Sequence, residues 1–342
     1  MIAVRLLATT SLLAACVAAA VATGAVRVVP ATPDRAGPSR GGFVGIVRAG
    51  DGLPADAIPV DADASRRAVL FASAGRGLFE LLADGSVRPH RAPDPRASDV
   101  YRDGAYADGG IYAAVQGRGV VRLGARRIEV IDPSEGPMAP ARLLPVGAGG
   151  LLAWTPATPL SRARLRRLSR GGAPEAIDVE LATVGGWIEM PERGSVWAAT
   201  RAGVVEIGRD GTRRSLHPAS VIAIARSGRH VGVVGTGVAR WNGASFDPVL
   251  FAIQDPRRPG QRHMPGAPVD LAIDQEGRWF ILARGGTVVV LGPDGSFLAL
   301  LDAGDGVPAS AARLLLDPGT GDILVGSRGD GPHRIRFARR VR

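Results

Sequence analysis

A run of 33 residues recurs in this chain, without a gap, 254 positions further on. Residues 49–81 align with residues 303–335, and many of the shared positions are turn formers. The identical pairs include Gly50 and Gly304, Asp51 and Asp305, Gly52 and Gly306, Pro54 and Pro308, Asp63 and Asp317, Ser73 and Ser327, Gly75 and Gly329, and Gly77 and Gly331. A set of turns repeated in register over such a distance predicts a fold assembled from structural repeats.

Further units of the same plan lie between the two copies. Each has an apolar strand ending in small residues, a turn with glycine, and another apolar strand, as in residues 196–207 and 280–291. The copy around Trp154 is the weakest, because Pro156 and Pro159 stand where the others have glycine. Short β-branched runs bounded by Gly, Pro and Asp favour strands over helices. The seven units, spaced by roughly 42 residues, predict an all-β, seven-bladed β-propeller, with six or eight blades as alternatives.

The two ends of the repeat region predict how the ring closes. The last unit has three clear strands, and residues 43–48 form an apolar run with no blade of its own. We expect this N-terminal strand to complete the last blade, because closure protects strand edges that would otherwise pair between molecules. Asp-Gly at residues 84–85, 210–211 and 294–295, and Asn-Gly at 242–243, are typical of the hairpin between a third and a fourth strand.

The repeats resemble those of a known family. Residues 52–54 (GLP), 306–308 (GVP) and 194–204 (GSVWAATRAGV) resemble the two-component-regulator propeller repeat of sensor ectodomains. Residues 274–279 (DQEGRW) are similar to the strand and turn of NHL-like repeats. The resemblance covers residues 43–338 as architecture, and it implies an exported bacterial propeller. Because the sensor family carries a kinase after its propeller, signalling by this chain would require a separate partner.

The first 42 residues predict export and a tether. Residues 1–26 form a leader, with Arg5 ahead of the uncharged run 6–22, and residues 27–42 form a flexible linker rich in Pro, Arg, Gly and Ser. Three modes of attachment stay open. They are cleavage after the Ala20, Val21, Ala22 sequence, lipidation of Cys16 in a lipobox-like context, and retention of the run as one membrane-spanning helix. Each puts residues 43–342, the predicted propeller, in the periplasm or at the cell envelope, with membrane contact through the leader only.

Composition argues against several kinds of site. The net charge of +10 comes from 42 arginines without a single lysine, and they are scattered along the chain, so we expect no nucleic-acid partner. Cys16, in the leader, is the only cysteine, which excludes disulfides and cysteine-based metal sites from the predicted propeller. The five histidines have no metal-ligand spacing and no calcium-loop motif occurs, so we expect neither a metal nor a cofactor.

The most specific candidate site is a set of five arginines, here called the turn arginines. They lie in the turns between second and third strands, which should open on the same face as the connections between blades. The turn arginines are Arg76, Arg118, Arg201, Arg284 and Arg328. Guanidinium groups around a channel mouth would suit an anionic small molecule or glycan, or a protein. We expect a non-catalytic binding or scaffold propeller at the cell envelope. The alternative is a lactonase-like hydrolase or a lyase, which requires a convergent pair of His or carboxylate groups at the channel mouth.

Overall fold

The computed structural model describes most of residues 43–337. Within that range it leaves out residues 92–98, 125–127, 134–141, 148–149, 158–161, 170–171, 178–180, 182–183, 236, 250–252, 255–261 and 264–265. The leader with Cys16, the linker and residues 338–342 lie outside the described residues, so the predictions of export and attachment stay predictions. No helix in the described part is both long and apolar enough to cross a membrane.

The described chain is built almost wholly of short strands. In chain order they are β1 (Phe43–Arg48), β2 (Ile58–Asp63), β3 (Ala68–Ser73), β4 (Gly77–Leu82), β5 (Val87–His90), β6 (Val100–Ala107), β7 (Gly110–Gln116), β8 (Gly119–Leu123), β9 (Ile128–Pro133), β10 (Arg142–Val146), β11 (Gly150–Thr155), β12 (Arg164–Leu168), β13 (Glu175–Ile177), β14 (Gly186–Met190), β15 (Ser195–Thr200), β16 (Gly203–Gly208), β17 (Arg213–His217), β18 (Val221–Ser227), β19 (His230–Gly235), β20 (Val238–Trp241), β21 (Phe246–Val249), β22 (Ile253–Gln254), β23 (Arg262–His263), β24 (Pro268–Ile273), β25 (Trp279–Ala283), β26 (Thr287–Leu291), β27 (Phe297–Leu301), β28 (Ala311–Leu316), β29 (Ile323–Ser327) and β30 (His333–Phe337).

These strands form the predicted seven-bladed propeller. Six blades are consecutive four-stranded antiparallel sheets, β2–β5, β6–β9, β10–β13, β14–β17, β18–β21 and β24–β27. The innermost strands, β2, β6, β10, β14, β18, β24 and β28, contact one another in that order, and β28 contacts β2. This closed circle of contacts surrounds the central channel. The unit around Trp154, the weakest in sequence, is the complete third blade.

The seventh blade confirms the predicted closure. It has the order β1-β30-β29-β28, so the N-terminal strand is its outermost strand. Phe43 pairs with Phe337 and Arg48 with His333 in an antiparallel ladder. The rings of Phe43 and Phe337 lie 5.7 Å apart, and that of Phe337 lies 5.4 Å from the ring of Phe280 in the sixth blade. The closing strand is therefore held by packing as well as by backbone pairing.

The apolar core lies between blades rather than at one centre. Seven clusters of buried residues correspond to the seven boundaries between neighbouring blades. One cluster, with Val69, Phe71 and Leu324, joins the seventh blade to the first. Each sheet is therefore buried on both faces, which explains why the second strands are nearly continuous apolar runs.

The predicted hairpins between third and fourth strands are confirmed. Gly85, Gly211, Gly243 and Gly295 all have positive φ angles, between 80° and 109°. In three of these turns an aspartate precedes the glycine and accepts hydrogen bonds from the backbone N–H and the hydroxyl of the residue after it, as Asp84 does from Ser86. The repeated Asp-Gly-Ser or Asp-Gly-Thr sequence thus encodes this turn locally.

Candidate functional site in the central channel

The turn arginines lie at the face of the ring where the chain passes from blade to blade. The backbone N–H of Arg284 donates to the carbonyl of Ala267, which directly precedes β24. In the same way, the N–H of Arg328 donates to the carbonyl of Ser310, just before β28. Four of the five side chains are exposed, those of Arg76, Arg201, Arg284 and Arg328. These four are exposed on this face, and a binding role for them stays a prediction.

Arg118 differs from the other turn arginines. Its Nε and Nη2 donate to the two carboxylate oxygens of Asp99, each at 2.7 Å, and only 7% of its side-chain surface is exposed. Asp99 stands directly before β6, the innermost strand of the same blade. This ion pair therefore ties the turn of the second blade to the start of its own inner strand. Sequence reasoning could not separate Arg118 from the exposed four, because the pairing depends on a contact between segments 19 residues apart.

The central channel contains charged residues that the sequence reasoning did not select. The inner strands enclose a cavity of about 260 Å³, whose wall is mostly apolar and glycine residues. Its charged residues are Asp61, Arg142, Asp270 and Arg313, and Arg226, which forms an ion pair with Glu192. Asp103 on β6 belongs with them through electrostatic coupling to Asp61, Arg142 and Arg313. We call Asp61, Asp103, Arg142, Asp270 and Arg313 the channel cluster. These five residues come from five different blades, the first, second, third, sixth and seventh.

Strand register places four of the five at one level of the ring. Asp103, Arg142, Asp270 and Arg313 each pair with a residue one or two places before the end of the second strand of their own blade. Asp61 pairs with Leu70, three places before the end of β3, so it lies further along the channel. A register shift precedes Asp61, Asp103, Asp270 and Arg313 in their strands. Such bulges re-aim side chains at functional and structural sites.

Each carboxylate of the channel cluster also joins neighbouring blades. Asp61 accepts a hydrogen bond from the backbone N–H of Tyr106 at 2.7 Å, and Asp103 accepts one from that of Leu143 at 2.8 Å. Asp270 accepts one from the N–H of Leu314 at 2.7 Å. In all three cases one oxygen, Oδ2, bonds to the inner strand of the next blade. Of the second oxygens, Oδ1 of Asp103 is buried without a hydrogen-bond partner among the described residues.

The surroundings of these carboxyl groups favour their protonated forms. Burial raises the pKa of Asp61 to about 7, and the negative charge of Asp103 adds to the increase. Burial likewise raises the pKa of Asp103 and of Asp270, while the guanidinium of Arg313 opposes the increase in both. Asp61 and Asp270 are partly exposed and line the narrow channel. A carboxyl group with a pKa near 7 exchanges its proton at neutral pH, as a general acid or base must.

The two arginines of the channel cluster repel each other. The charge of Arg313 is the largest cause of a lowered pKa for Arg142, ahead of burial. Arg142 is held by a hydrogen bond from Nη2 to the carbonyl of Gly185, at 3.1 Å, next to the inner strand of the fourth blade. With the described residues, the guanidinium of Arg313 makes no hydrogen bond and no ion pair within 4 Å, and Arg313 lines the cavity. Two like charges in one narrow cavity would be stabilised by an anionic group between them.

The charged channel bears on the choice between binding and catalysis. Asp61 and Asp103 act on each other electrostatically, and a pair of carboxyl groups is what the hydrolase or lyase alternative requires. No group of three His, Cys, Asp or Glu residues in the described part is arranged to hold a metal ion. One feature of the sequence does indicate the channel cluster. A single charge interrupts the apolar strands β24 (PVDLAI) and β28 (AARLLL), at Asp270 and Arg313.

Comparison with known proteins shows the propeller fold and does not show a function. No protein-family model and no curated protein sequence matches the chain. YCF48, solved bound to a D1 peptide, is similar in structure with a TM-score of 0.60 and 12% identity, over 86% of this chain and 96% of that one. The extracellular domain assigned to a hybrid two-component system from B. thetaiotaomicron has a TM-score of 0.58 and 15% identity, over 86% of this chain and 42% of that one. A gluconolactonase from Xanthomonas campestris has a TM-score of 0.50 and 14% identity, over 91% of this chain and 99% of that one.

Proposed function

We propose that this protein is a non-catalytic binding propeller that holds a small molecule in its central channel, through an anionic group placed between Arg142 and Arg313. The observation that carries the proposal is the pairing of these two guanidiniums in one cavity. The charge of Arg313 acts unfavourably on that of Arg142, and a carboxylate or phosphate between them would offset this repulsion. Arg313 faces the cavity without a direct partner among the described residues, so its donors are free for a ligand.

The cavity sets the size of this ligand. A volume of about 260 Å³ is below the range of roughly 300–1,000 Å³ in which drug-sized molecules bind. The ligand is therefore a small metabolite rather than a glycan chain or a protein segment. Apolar wall residues such as Leu271 and Leu314 surround the charges. This combination of a mostly apolar wall and few charged groups is typical of small-molecule sites.

The proposal is tested by titrating the purified full chain with propionate, butyrate, succinate and inorganic phosphate in a calorimeter. The test variant is Arg313→Met, and Arg328→Met is its matched control, because Arg328 is an exposed turn arginine of the same blade. We expect Arg313→Met to weaken binding at least about tenfold and Arg328→Met to leave it unchanged. Loss of binding in Arg328→Met alone would move the site to the turn arginines. No binding by the wild-type chain would contradict the proposal.

The second candidate function is a hydrolase or lyase, and it is favoured by Asp61. A carboxyl group with a pKa of about 7 beside a second carboxyl group suits general acid–base catalysis at neutral pH. Its test is hydrolysis of a panel of lactones and aryl esters by the wild-type chain and by Asp61→Asn. A rate that follows a titration near pH 7 and disappears in Asp61→Asn would favour catalysis. Equal rates in both proteins, or no hydrolysis, would leave the binding function.

We also propose that an acidic protein partner binds the face that carries the turn arginines. Arg76, Arg201, Arg284 and Arg328 are exposed on one face, which suits an acidic partner. That a structural neighbour, YCF48, was solved with a peptide supports such use of a propeller face. Double replacement of Arg201 and Arg284 by Ala should weaken capture of an acidic synthetic peptide, measured by calorimetry. Unchanged capture, or none by the wild-type chain, would contradict this part.

We also propose that the protein works at the bacterial cell envelope, as the leader at residues 1–26 and the likeness to sensor-ectodomain repeats suggest. Replacement of Cys16 tests one of the three modes of attachment, lipidation. Labelling the cells with a radioactive fatty acid should mark the wild-type chain and not Cys16→Ala if the chain is a lipoprotein. Cell fractionation of an epitope-tagged chain tests the location itself. Recovery of the tagged chain in the cytoplasm would contradict this proposal.

A further inference from the structure

Asp103 is a buried carboxylate in which only one of the two oxygens accepts a hydrogen bond. Only 2% of the residue is exposed, and Oδ2 accepts the hydrogen bond from Leu143. Oδ1 is buried and has no hydrogen-bond partner. A buried acceptor without a partner costs about 1–3 kcal/mol, and more when it carries charge. Asp103 therefore offers a strong, unused acceptor for a donor that the described protein residues do not supply.

The position of Asp103 directs this acceptor to the channel. It shares one level of the ring with Arg142, Asp270 and Arg313, and all three of these line the cavity. Its strand β6 stands between β2, which carries Asp61, and β10, which carries Arg142. Residues at matching register on neighbouring inner strands face the same way, and the charges of Arg142 and Arg313 both act on Asp103, although its carboxyl group lies beneath the wall of the cavity.

The charges of the channel cluster favour one kind of ligand. The cluster places three carboxyl groups beside two guanidiniums, and a positively charged group of a ligand would favour the ionised carboxylates over the protonated forms that burial favours. A ligand with one positive and one negative group would therefore suit both the carboxyl groups and the guanidiniums. An ammonium group has three donors and no acceptor, which suits Asp103 and its neighbour Asp61. A carboxylate suits the two guanidiniums.

We infer that the channel binds a small amino acid, with its carboxylate between Arg142 and Arg313 and its ammonium group at Oδ1 of Asp103. This inference rests on the proposed binding function and names its ligand class. It requires a positive and a negative group separated by a few bonds, because both halves of the site lie at one level of a single small cavity. It also explains why carboxylates and guanidiniums from five blades are brought together in one channel.

The test compares ligands that differ only in the ammonium group. The matched pairs are L-alanine with isobutyrate, β-alanine with butyrate, and γ-aminobutyrate with valerate, in which a methyl group replaces the ammonium. Calorimetric titration of the full chain should show at least one amino acid binding about tenfold or more tighter than its partner. In Asp103→Asn this preference should fall to about onefold, while the affinity for the carboxylic acid stays the same. Asp84→Asn, in an exposed hairpin turn, is the control that should keep the preference.

The outcomes separate this inference from the function on which it rests. Equal binding of both members of every pair would overturn the amino-acid inference and leave the anion-binding function. Failure of all six compounds to bind the wild-type chain would overturn both. Because Asp103→Asn could disturb the bond to Leu143, its melting temperature is measured alongside, and Asp61→Asn is the second variant. A folded Asp103→Asn protein that keeps the full preference, together with an Asp61→Asn protein that does so, would overturn the inference.

Discussion

The guanidinium of Arg118 is bound to the carboxylate of Asp99 by two hydrogen bonds of 2.7 Å, and 7% and 4% of the two side chains are exposed. Removal of one partner leaves the other charge buried, which typically costs 3–5 kcal/mol. We expect Arg118→Ala to lower the free energy of unfolding by about that amount, measured by urea denaturation. The matched control is Arg76→Ala, at the corresponding exposed turn position of the first blade, which should change it by less than about 0.5 kcal/mol. Equal effects of the two variants would contradict the structural role of the pair.

The closing blade should control the stability of the whole ring. Phe337 packs between Phe43 of the closing strand and Phe280 of the sixth blade. Phe337→Ala should cost about 3–5 kcal/mol in unfolding free energy, as for other buried phenylalanines. The control is Val44→Ala on the same blade, which should be near neutral because Val44 is 65% exposed. A melting temperature unchanged by Phe337→Ala would contradict this role.

Removal of the closing strand itself should be more severe. Truncation of the chain past Arg48 removes every pair between β1 and β30 and exposes the edge of β30. We expect a lower melting temperature for the entire domain in a single transition, followed by calorimetry. A chain that starts at Phe43 is the control and should melt like the full chain. If the two truncated chains melted alike, ring closure by β1 would contribute nothing to stability.

The pH dependence of stability should reveal Asp61. Its folded pKa is raised to about 7, so the folded protein keeps a proton that the unfolded chain loses near pH 4. Stability from this group is therefore fully present below about pH 4, falls as pH rises toward 7 and is level above that. The loss is at most about 4 kcal/mol, since one pKa unit is worth about 1.4 kcal/mol. Asp61→Asn should remove this part of the slope and be more stable than wild type at about pH 8 in urea titrations. Parallel slopes for both proteins would contradict the raised pKa.

We expect replacement of Gly203 by alanine to destabilise the protein, and replacement of Gly75 by alanine to be tolerated. Gly203 has a φ of +121°, and a Cβ there would lie 1.7 Å from the carbonyl oxygen of His217. Gly203→Ala should destabilise the protein by more than about 2 kcal/mol, through strain and the displaced strand. Gly75, two residues before the corresponding Gly77 of the first blade, has open space at its Cβ, so Gly75→Ala should be close to neutral. Thermal melts of both variants check this, and equal melting temperatures would contradict it.

The fold was accessible from sequence because its signals are local and repeated. Asp84, Gly85 and Ser86 specify a turn on their own, and the same turn recurs at Asp210 and Asp294. Closure by β1 followed from counting strands, since the last unit lacked one. The ungapped alignment of residues 49–81 with 303–335 places Phe79 opposite His333, and the structure agrees, because these residues pair with Phe71 and Val325 at corresponding positions.

The channel cluster was not accessible in the same way. Its members come from five repeats that lie far apart in the chain, and only the ring brings their inner strands to one channel. Asp103 and Arg142 are at the same level because bulges shift some inner strands and not others. No local pattern fixes such a shift. The turn arginines could be placed on one face from the blade plan, but the burial of Arg118 depends on Asp99.

The pairing of Phe43 with Phe337 has a consequence for how the molecule is made. The β1–β30 ladder joins segments from the two extremes of the described chain, so it closes the longest loop and we expect it to form last. Until then β30 presents an unprotected edge and the rings of Phe280 and Phe337 lack their final cover. The interval between synthesis and closure is thus the period in which the chain is most exposed to misassociation, and a folding helper that acts on it would have its target at this one seam.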